Sequence, residues 1–238
     1  MTKANYKTLL DDAYFKRWLV LSSSPVNWVD ASWQKTFEHG LPPSVLSHSN
    51  ANVWLRENLS LTTIRWEWFH SPISKVLLLN SVALYRLLTV MGALCYTKEF
   101  YRVVTTVARQ QLYDQLPAEQ VHFIEQNGAM LLHDNVELLC AVSEALPLLQ
   151  SDGETLVDFR IPGALILYRL LALSQQTLST DPTLLASWFR YLQLQLPQSF
   201  ASTTEDLTRH LPAADARVRL AITKLIRFLE PSCLHLLK

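Results

Sequence analysis

The stretch Val76–Cys95, VLLLNSVALYRLLTVMGALC, constrains this chain more than any other part of it. It has the length of a membrane span but contains Asn80 and Arg86. A guanidinium near the middle of a hydrocarbon layer is costly, so the segment is expected to be a central helix buried in protein, with Arg86 reaching an edge. The rest of the chain has material to surround it. With 238 residues, 49% of them hydrophobic and 18% charged, it can bury a core without a metal or disulfide staple and is too apolar to be largely disordered.

Helix punctuation recurs along the sequence. Ser71-Pro72, a cap followed by first-turn proline, predicts that the central helix runs to about Met91, where Gly92 weakens it. Another is expected from near Thr97 toward Tyr113, with Phe100, Val103, Val104 and Val107 on one face. Leu116-Pro117 opens a shorter helix through Glu125, closed by Asn127-Gly128. Met130–Leu149 supports the next, with Val136, Leu139 and Leu146 among its buried candidates. Gln150-Ser151-Asp152-Gly153 is the clearest connecting turn. An apolar helix Ala164–Leu173 follows, and Asp181-Pro182 starts one that turns Leu185, Trp188, Phe189 and Leu192 inward. A surface loop from about Gln198 to Thr204 and the pair Leu211-Pro212 precede the last long helix, which reaches Leu229 before Pro231.

Strand signals are weak. No strong hairpin dipeptide separates two alternating apolar runs, and the alternation Leu192-Gln193-Leu194-Gln195-Leu196 is short and adjoins a helix. No repeat at a solenoid period and no long linker stands out. The reading is all-α: a compact, irregular multi-helix single domain over 1–238, with 1–150 and 154–238 as a possible subdivision. Its N-terminal third differs in texture. Six of the seven tryptophans, Trp18, Trp28, Trp33, Trp54, Trp66 and Trp68, lie in residues 1–70. Short helices over Asn5–Leu21, Val29–Glu38 and Ala51–Leu59 are interrupted by Ser22-Ser23-Ser24-Pro25 and Pro42-Pro43. Such rings form an aromatic-rich collar on a helical body, or an exposed aromatic binding face.

Motifs that carry chemistry are thin. Cys95, Cys140 and Cys233 are far apart with no CxxC, and read as reduced, mostly buried thiols of a cytosolic protein. Among seven histidines no pair forms HExxH; His122 and His133, eleven apart in an acid-rich region, read as surface residues. The pairs Asp11/Asp12 and Asp152/Glu154 fall in segments expected to be exposed. There is no GxSxG, and the five glycines form neither GxGxxG nor GxxxxGK. No catalytic, cofactor-binding or metal-binding residue is therefore expected. The N-terminus, MTKANYKTLLDDAYFKRW, lacks the apolar stretch of a secretory signal.

Charge is balanced overall, 21 basic against 21 acidic residues, but unevenly placed. Between Arg109 and Arg160 there is no Lys or Arg, and nine acids, among them Asp134, Glu137 and Glu144. The last 31 residues carry six basic residues against two acids. A nucleic-acid partner is disfavoured by the neutral total, whereas opposed regions suit recognition of proteins, or of each other. In the terminal helix, Val218, Ile222, Leu225 and Leu229 mark an apolar face. Arg217, Lys224 and Arg227 lie largely opposite, with Arg219 at the margin. A cationic face of this kind docks an acidic protein or an anionic lipid surface, and is also the common solvated face of a packed helix.

The ending Pro231-x-Cys233-x-His235-Leu236-x-Lys238 resembles that of the SctK/YscK family of type III secretion. The upstream course is similar too: the apolar helix Ala164–Leu171, Trp188 before Tyr191-Leu192-Gln193-Leu194-Gln195-Leu196-Pro197, then the terminal helix. The resemblance is firmest over 164–238 and extends, less specifically, to most of the chain. It implies one helical SctK-like domain acting as a non-enzymatic adaptor of the cytoplasmic sorting platform beneath the injectisome. Such an adaptor links the cytoplasmic domain of the inner-membrane ring protein SctD to the pod protein SctQ, and through it the SctL stator and SctN ATPase. Two rivals are an effector- or chaperone-binding module exposing an apolar groove, and a helical enzyme with a polar cavity. Arg217, Arg219, Lys224 and Arg227 on one side and Asp134, Glu137 and Glu144 on the other are the candidate interface residues.

Overall fold

The apolar run Val76–Cys95 is not one helix. Ile73–Leu78 is a 3-10 segment, Leu79 is extended at ψ 151, and the α-helix begins only at Ser81. Asn80 causes the break. Its Oδ1 accepts the Ala83 N–H at 2.9 Å and its carbonyl accepts the Leu84 N–H at 2.9 Å, which makes it an N-cap rather than an interior residue. Arg86 is exposed, as expected of a helix with one edge at solvent.

The computed structural model describes residues 12–33, 52, 53, 55, 57, 65–131, 136–150, 153–178, 183–208 and 210–236. Among them the architecture is all-α, with no strand and only an isolated antiparallel bridge between Leu149 and Leu156. The α-helices are α1 Ala13–Ser23, α2 Ser81–Ala93, α3 Thr106–Gln115, α4 Ala118–Leu131 and α5 Glu137–Ala145. They continue with α6 Arg160–Leu178, α7 Thr183–Gln195, α8 Gln198–Thr208 and α9 Ala216–Leu229. Two compact units share the chain: Met1–Leu84 with Leu178–Ser202, and Tyr85–Thr177 with Thr203–Lys238.

In the first unit the C-terminal end of α7 is the hub. The last carbonyls of a helix lack intrahelical partners and need donors from elsewhere. Here Asp30 donates its N–H to the Leu194 carbonyl at 2.8 Å, and the Trp33 indole donates to the Leu196 carbonyl at 2.9 Å. Residues 191–196 are all buried, Gln193 and Gln195 included. The Gln195 amide donates to the Leu77 carbonyl at 3.1 Å, which satisfies a polar group that would otherwise be costly to enclose. Trp33 is thus core. Phe15, Trp18, Trp66 and Phe69 form a ring cluster with centroids 5.1–6.2 Å apart, Phe15 edge-on to Trp66. Trp18 and Trp66 stay half-buried. Trp54, Pro42-Pro43, the N-terminal end of the helix expected over Asn5–Leu21 and Gln34–Glu38 of that over Val29–Glu38 lie outside the described residues.

In the second unit Phe159 is the centre. It is fully buried and stacks on Tyr96 at 5.7 Å and on Phe100 at 5.8 Å. Two glutamines one turn apart on α3 hold the extended segment that leads into it. Gln111 accepts the Leu156 N–H at 2.7 Å; Gln115 accepts the Phe159 N–H at 2.8 Å and donates to the Val157 carbonyl at 2.9 Å. Here α2 and α6 cross in near backbone contact. A Cβ on Gly92 would lie 1.9 Å from the Phe159 carbonyl oxygen, and one on Gly163 would lie 1.9 Å from that of Leu88. Both positions require glycine.

Several element boundaries differ from expectation. Thr105 caps α3, its hydroxyl accepting the Ala108 N–H at 3.2 Å, so the helix starts at Thr106 and not near Thr97. Phe100 and Val103 are buried, but Val104 is 82% and Val107 51% exposed: Phe100–Arg102 is a 3-10 turn and the α-helix begins only at Thr106, so the four residues do not share one α-helical face. Helix α4 runs through Asn127-Gly128 to Leu131; the Asn127 amide turns back to the Phe123 carbonyl at 2.9 Å instead of ending the helix. The helix expected over Met130–Leu149 is the shorter α5, with Val136 and Leu139 buried and Leu146 half-buried at its end. Residues 198–204 are helical, not a loop, because Phe200 and Thr204 bury one side of α8. The turn after Gln150 is present, with Gly153 at φ 70. Trp188 and Leu192 face inward on α7 as expected, while Leu185 and Phe189 are half-buried. Asp181-Pro182 lies outside the described residues.

Candidate protein interface

Helix α9 is set by local chemistry. Asp215 caps it, one carboxylate oxygen accepting the N–H groups of Arg217 and Val218 at 2.9 and 3.0 Å. The hydrogen bond from Val218 is the main reason its carboxyl sits below the usual value; slight desolvation opposes this, and the Arg217 guanidinium at 2.7 Å adds to it. Val218, Ile222, Leu225 and Leu229 are buried as the helical spacing predicts, joined by Ala221 and Ile226. Each fully buried Val, Ile or Leu contributes about 1.5–3 kcal/mol before entropy is counted. This face packs against α4 and against the segment Pro231–Leu236. At the far end the Gln120 amide donates to the Leu229 carbonyl at 3.1 Å.

The opposite face carries Arg217, Arg219, Lys224 and Arg227, all exposed, and no acid interrupts the helix between Asp215 and Glu230. Arg217 pairs with its own cap. Two further residues belong to this face. Leu220 is 56% and Phe228 60% exposed, although Phe228 also touches the Phe123 ring at 5.1 Å. With Leu234 they line a mostly apolar groove of about 340 Å³ that also contains Thr223, Lys224 and Arg227. The sequence does hold a signal for it: positions 220, 223, 224, 227 and 228 repeat at helical spacing, a second stripe opposite the buried one.

The C-terminal tail, with Pro231, Cys233, His235 and Leu236, packs beside α9. Pro231 opens a 3-10 segment to Leu236; Cys233 and Leu236 are buried, Leu234 is half-buried, and Pro231 and His235 are exposed. The Cys233 N–H donates to the Glu230 carbonyl at 3.0 Å. Lys238 lies outside the described residues.

The acidic stretch is not a continuous surface of free charge. The two arginines that bracket it fold back onto it: Arg109 pairs with Glu125 at 2.8 Å and Arg160 with Asp158 at 2.6 Å. Glu137 and Glu144 are exposed on α5, which packs against the Leu94–Tyr96 turn, whereas the cations ride on α9. Asp134 lies outside the described residues.

An open cavity of about 620 Å³ has charged walls that include Arg86, Asp114, Asp158, Arg160 and Glu230. Its acids are held by neighbours in sequence. Asp158 grips the Arg160 guanidinium at 2.6–3.2 Å, Asp114 accepts from the Gln110 amide at 2.9 Å, and Glu230 accepts from the Ser232 hydroxyl at 2.6 Å. Neither histidine nor cysteine is among its described lining residues. The three thiols are free. Cys95 and Cys140 are half-buried, and enclosure pushes the Cys95 thiol well above the usual cysteine value, with Cys140 nearby acting in the same direction. Cys233 is buried and shifted upward by desolvation. Among the described residues no three His, Cys, Asp or Glu side chains cluster as metal ligands, and His133 lies outside them. No helix among them is long and apolar enough to cross a membrane. Compared with known protein families, curated proteins and solved structures, the chain matches none.

Proposed function

We propose that this chain is a non-enzymatic adaptor of the type III secretion sorting platform. It would link the cytoplasmic domain of the ring protein SctD to the pod protein SctQ, and through that pod the SctL and SctN assembly. Its place is then the cytoplasmic side of the inner membrane, reached through partners. The observation that carries the reading is α9: one face is buried, while the other presents Arg219, Lys224 and Arg227, beside an Arg217 paired to the cap Asp215, and two exposed apolar residues, with no acid between Asp215 and Glu230. Cations without enclosing structure contribute little to folding, whereas they steer and orient an acidic partner. The tail motif that resembles the SctK/YscK family supports α9 from beside it. The exposed pair Glu137 and Glu144, on a different element, offers a second surface of opposite sign.

The test is capture of purified SctD cytoplasmic domain and SctQ on this protein. Reversing Arg217, Lys224 and Arg227 together to glutamate is expected to weaken one of the two interactions while leaving the far-UV spectrum unchanged. Unchanged binding to both would reject the role of α9; binding to neither by the folded wild-type chain would reject the adaptor. The groove beside Phe228 favours a second reading, an effector- or chaperone-binding module. That reading expects secretion substrates or their chaperones to be retained where ring and pod proteins are not.

A further inference from the structure

We infer that the groove between Leu220, Phe228 and Leu234 receives the apolar side chain of an acidic, amphipathic segment of a partner protein, with Lys224 and Arg227 pairing with its carboxylates. This deepens the adaptor reading and rests on it for taking α9 as a partner surface. The shape of the site selects the occupant. Leu220 and Phe228 stand two helical turns apart on α9, and Leu234, from the segment after Pro231, forms the facing wall. A groove of about 340 Å³ with mostly apolar lining accommodates one or two inserted side chains. An interfacial membrane helix works differently: it needs a protruding apolar face to enter the acyl layer, and a concave one does not enter it. Burial of an inserted leucine supplies affinity that surface charge alone does not.

Charge then defines the partner. Lys224 and Arg227 lie within the groove lining. Lys224 and Arg227 have no acidic partner among the described residues. Facing this, a segment with leucines on one side and glutamates or aspartates on the other is complementary in both shape and sign. A basic segment is repelled, since like charges brought together at an interface are penalised.

The probe is a fluorescein-labelled helical peptide with leucines on one face and glutamates on the other, titrated with the full chain and followed by anisotropy. Its lysine counterpart and phosphatidylglycerol vesicles are run in parallel. The acidic peptide is expected to bind saturably and the lysine peptide not to bind. Lys224→Glu with Arg227→Glu should weaken binding at least about tenfold at low salt, with a smaller loss at high salt. Leu220→Ser, at an exposed position, should weaken it about threefold or more at all salt concentrations. If the double reversal does not fold, as judged by far-UV circular dichroism, Lys224→Gln with Arg227→Gln takes its place. Equal binding by the charge variants, no effect of Leu220→Ser, or binding to vesicles in place of the peptide each overturns the proposal. Peptide binding without capture of ring or pod protein keeps the groove and removes the adaptor. Capture of both that survives Lys224→Glu/Arg227→Glu keeps the adaptor and removes the groove.

Discussion

Replacing Gly163 with alanine sets two physical effects against each other with opposite signs. Gly163 lies inside α6, and alanine is the better helix former by about 0.8–1.0 kcal/mol. Propensity alone therefore predicts a more stable protein. Packing predicts the reverse. The new Cβ would sit 1.9 Å from the Leu88 carbonyl oxygen, 2.6 Å from its carbonyl carbon and 2.9 Å from its Cα. Comfortable heavy-atom contact begins at about 3.5 Å, so α6 must retreat from α2 by roughly 1.5 Å. Every colliding atom is backbone, so no side chain can rotate out of the way. Overpacking a dense core costs about 1–3 kcal/mol, and a collision between two main chains belongs at the upper end. Subtracting about 1 kcal/mol of gained propensity leaves a net loss of about 2 kcal/mol, or about 4–8 °C in Tm for a chain of this length. Far-UV circular dichroism during thermal and urea unfolding is the direct assay, because all seven tryptophans belong to the unit that does not contain Gly163. Gly92→Ala should behave alike, with its Cβ 1.9 Å from the Phe159 carbonyl oxygen. Gly153→Ala isolates the other role of glycine: nothing lies within 4 Å of its Cβ, but φ is +70, so about 1 kcal/mol is lost to left-handed backbone alone. A Gly163→Ala protein as stable as the parent, or more so, would refute the close crossing.

Two further substitutions probe the caps and the buried hydroxyls. Asp215→Ala should cost about 1 kcal/mol by leaving the Arg217 and Val218 N–H groups of α9 without their acceptor. Since the folded carboxyl titrates below the unfolded value near 3.9, its contribution is complete above about pH 5 and is lost as pH falls through the folded value. Asp215→Asn should keep the cap while flattening that part of the acid denaturation curve. Tyr96→Phe removes a hydroxyl that donates to the Leu146 carbonyl at 2.6 Å, and should cost about 1 kcal/mol in urea unfolding. Burial raises the Tyr96 ionisation, so the parent holds its full stability below about pH 10 and declines above it as the unfolded state ionises; the phenylalanine variant should lack its share of that decline.

What the residues alone determined are the features settled within a few positions of chain. The end of α9 is legible because Pro231 follows Leu229, and its buried face because Val218, Ile222, Leu225 and Leu229 recur at the period of the helix. The all-α class follows from the same two kinds of local signal. Asn80 was also a local signal, but the apolar residues around it outweighed it, since an Asn in such a run reads equally as a tolerated interior residue.

Tertiary structure decided what depends on partners distant in sequence. Gly92 looks like a helix weakness, and Gly163 precedes the helix expected over Ala164–Leu173, until the two backbones meet at these positions. Gln193 and Gln195 read as the polar half of an alternating pattern, yet both are buried, Gln195 because it serves a carbonyl more than a hundred residues away. Residues 198–204 read as loop because their composition is polar, and are helical because Phe200 and Thr204 find a buried side. The interface shows the same division. Helical period places Arg217, Arg219, Lys224 and Arg227 on one face of α9, but only the fold leaves Leu220 and Phe228 uncovered and brings Leu234 across from them to make a groove. Capping and period act through hydrogen bonds and geometry within a turn or two; burial is set by whichever surface the rest of the chain happens to supply.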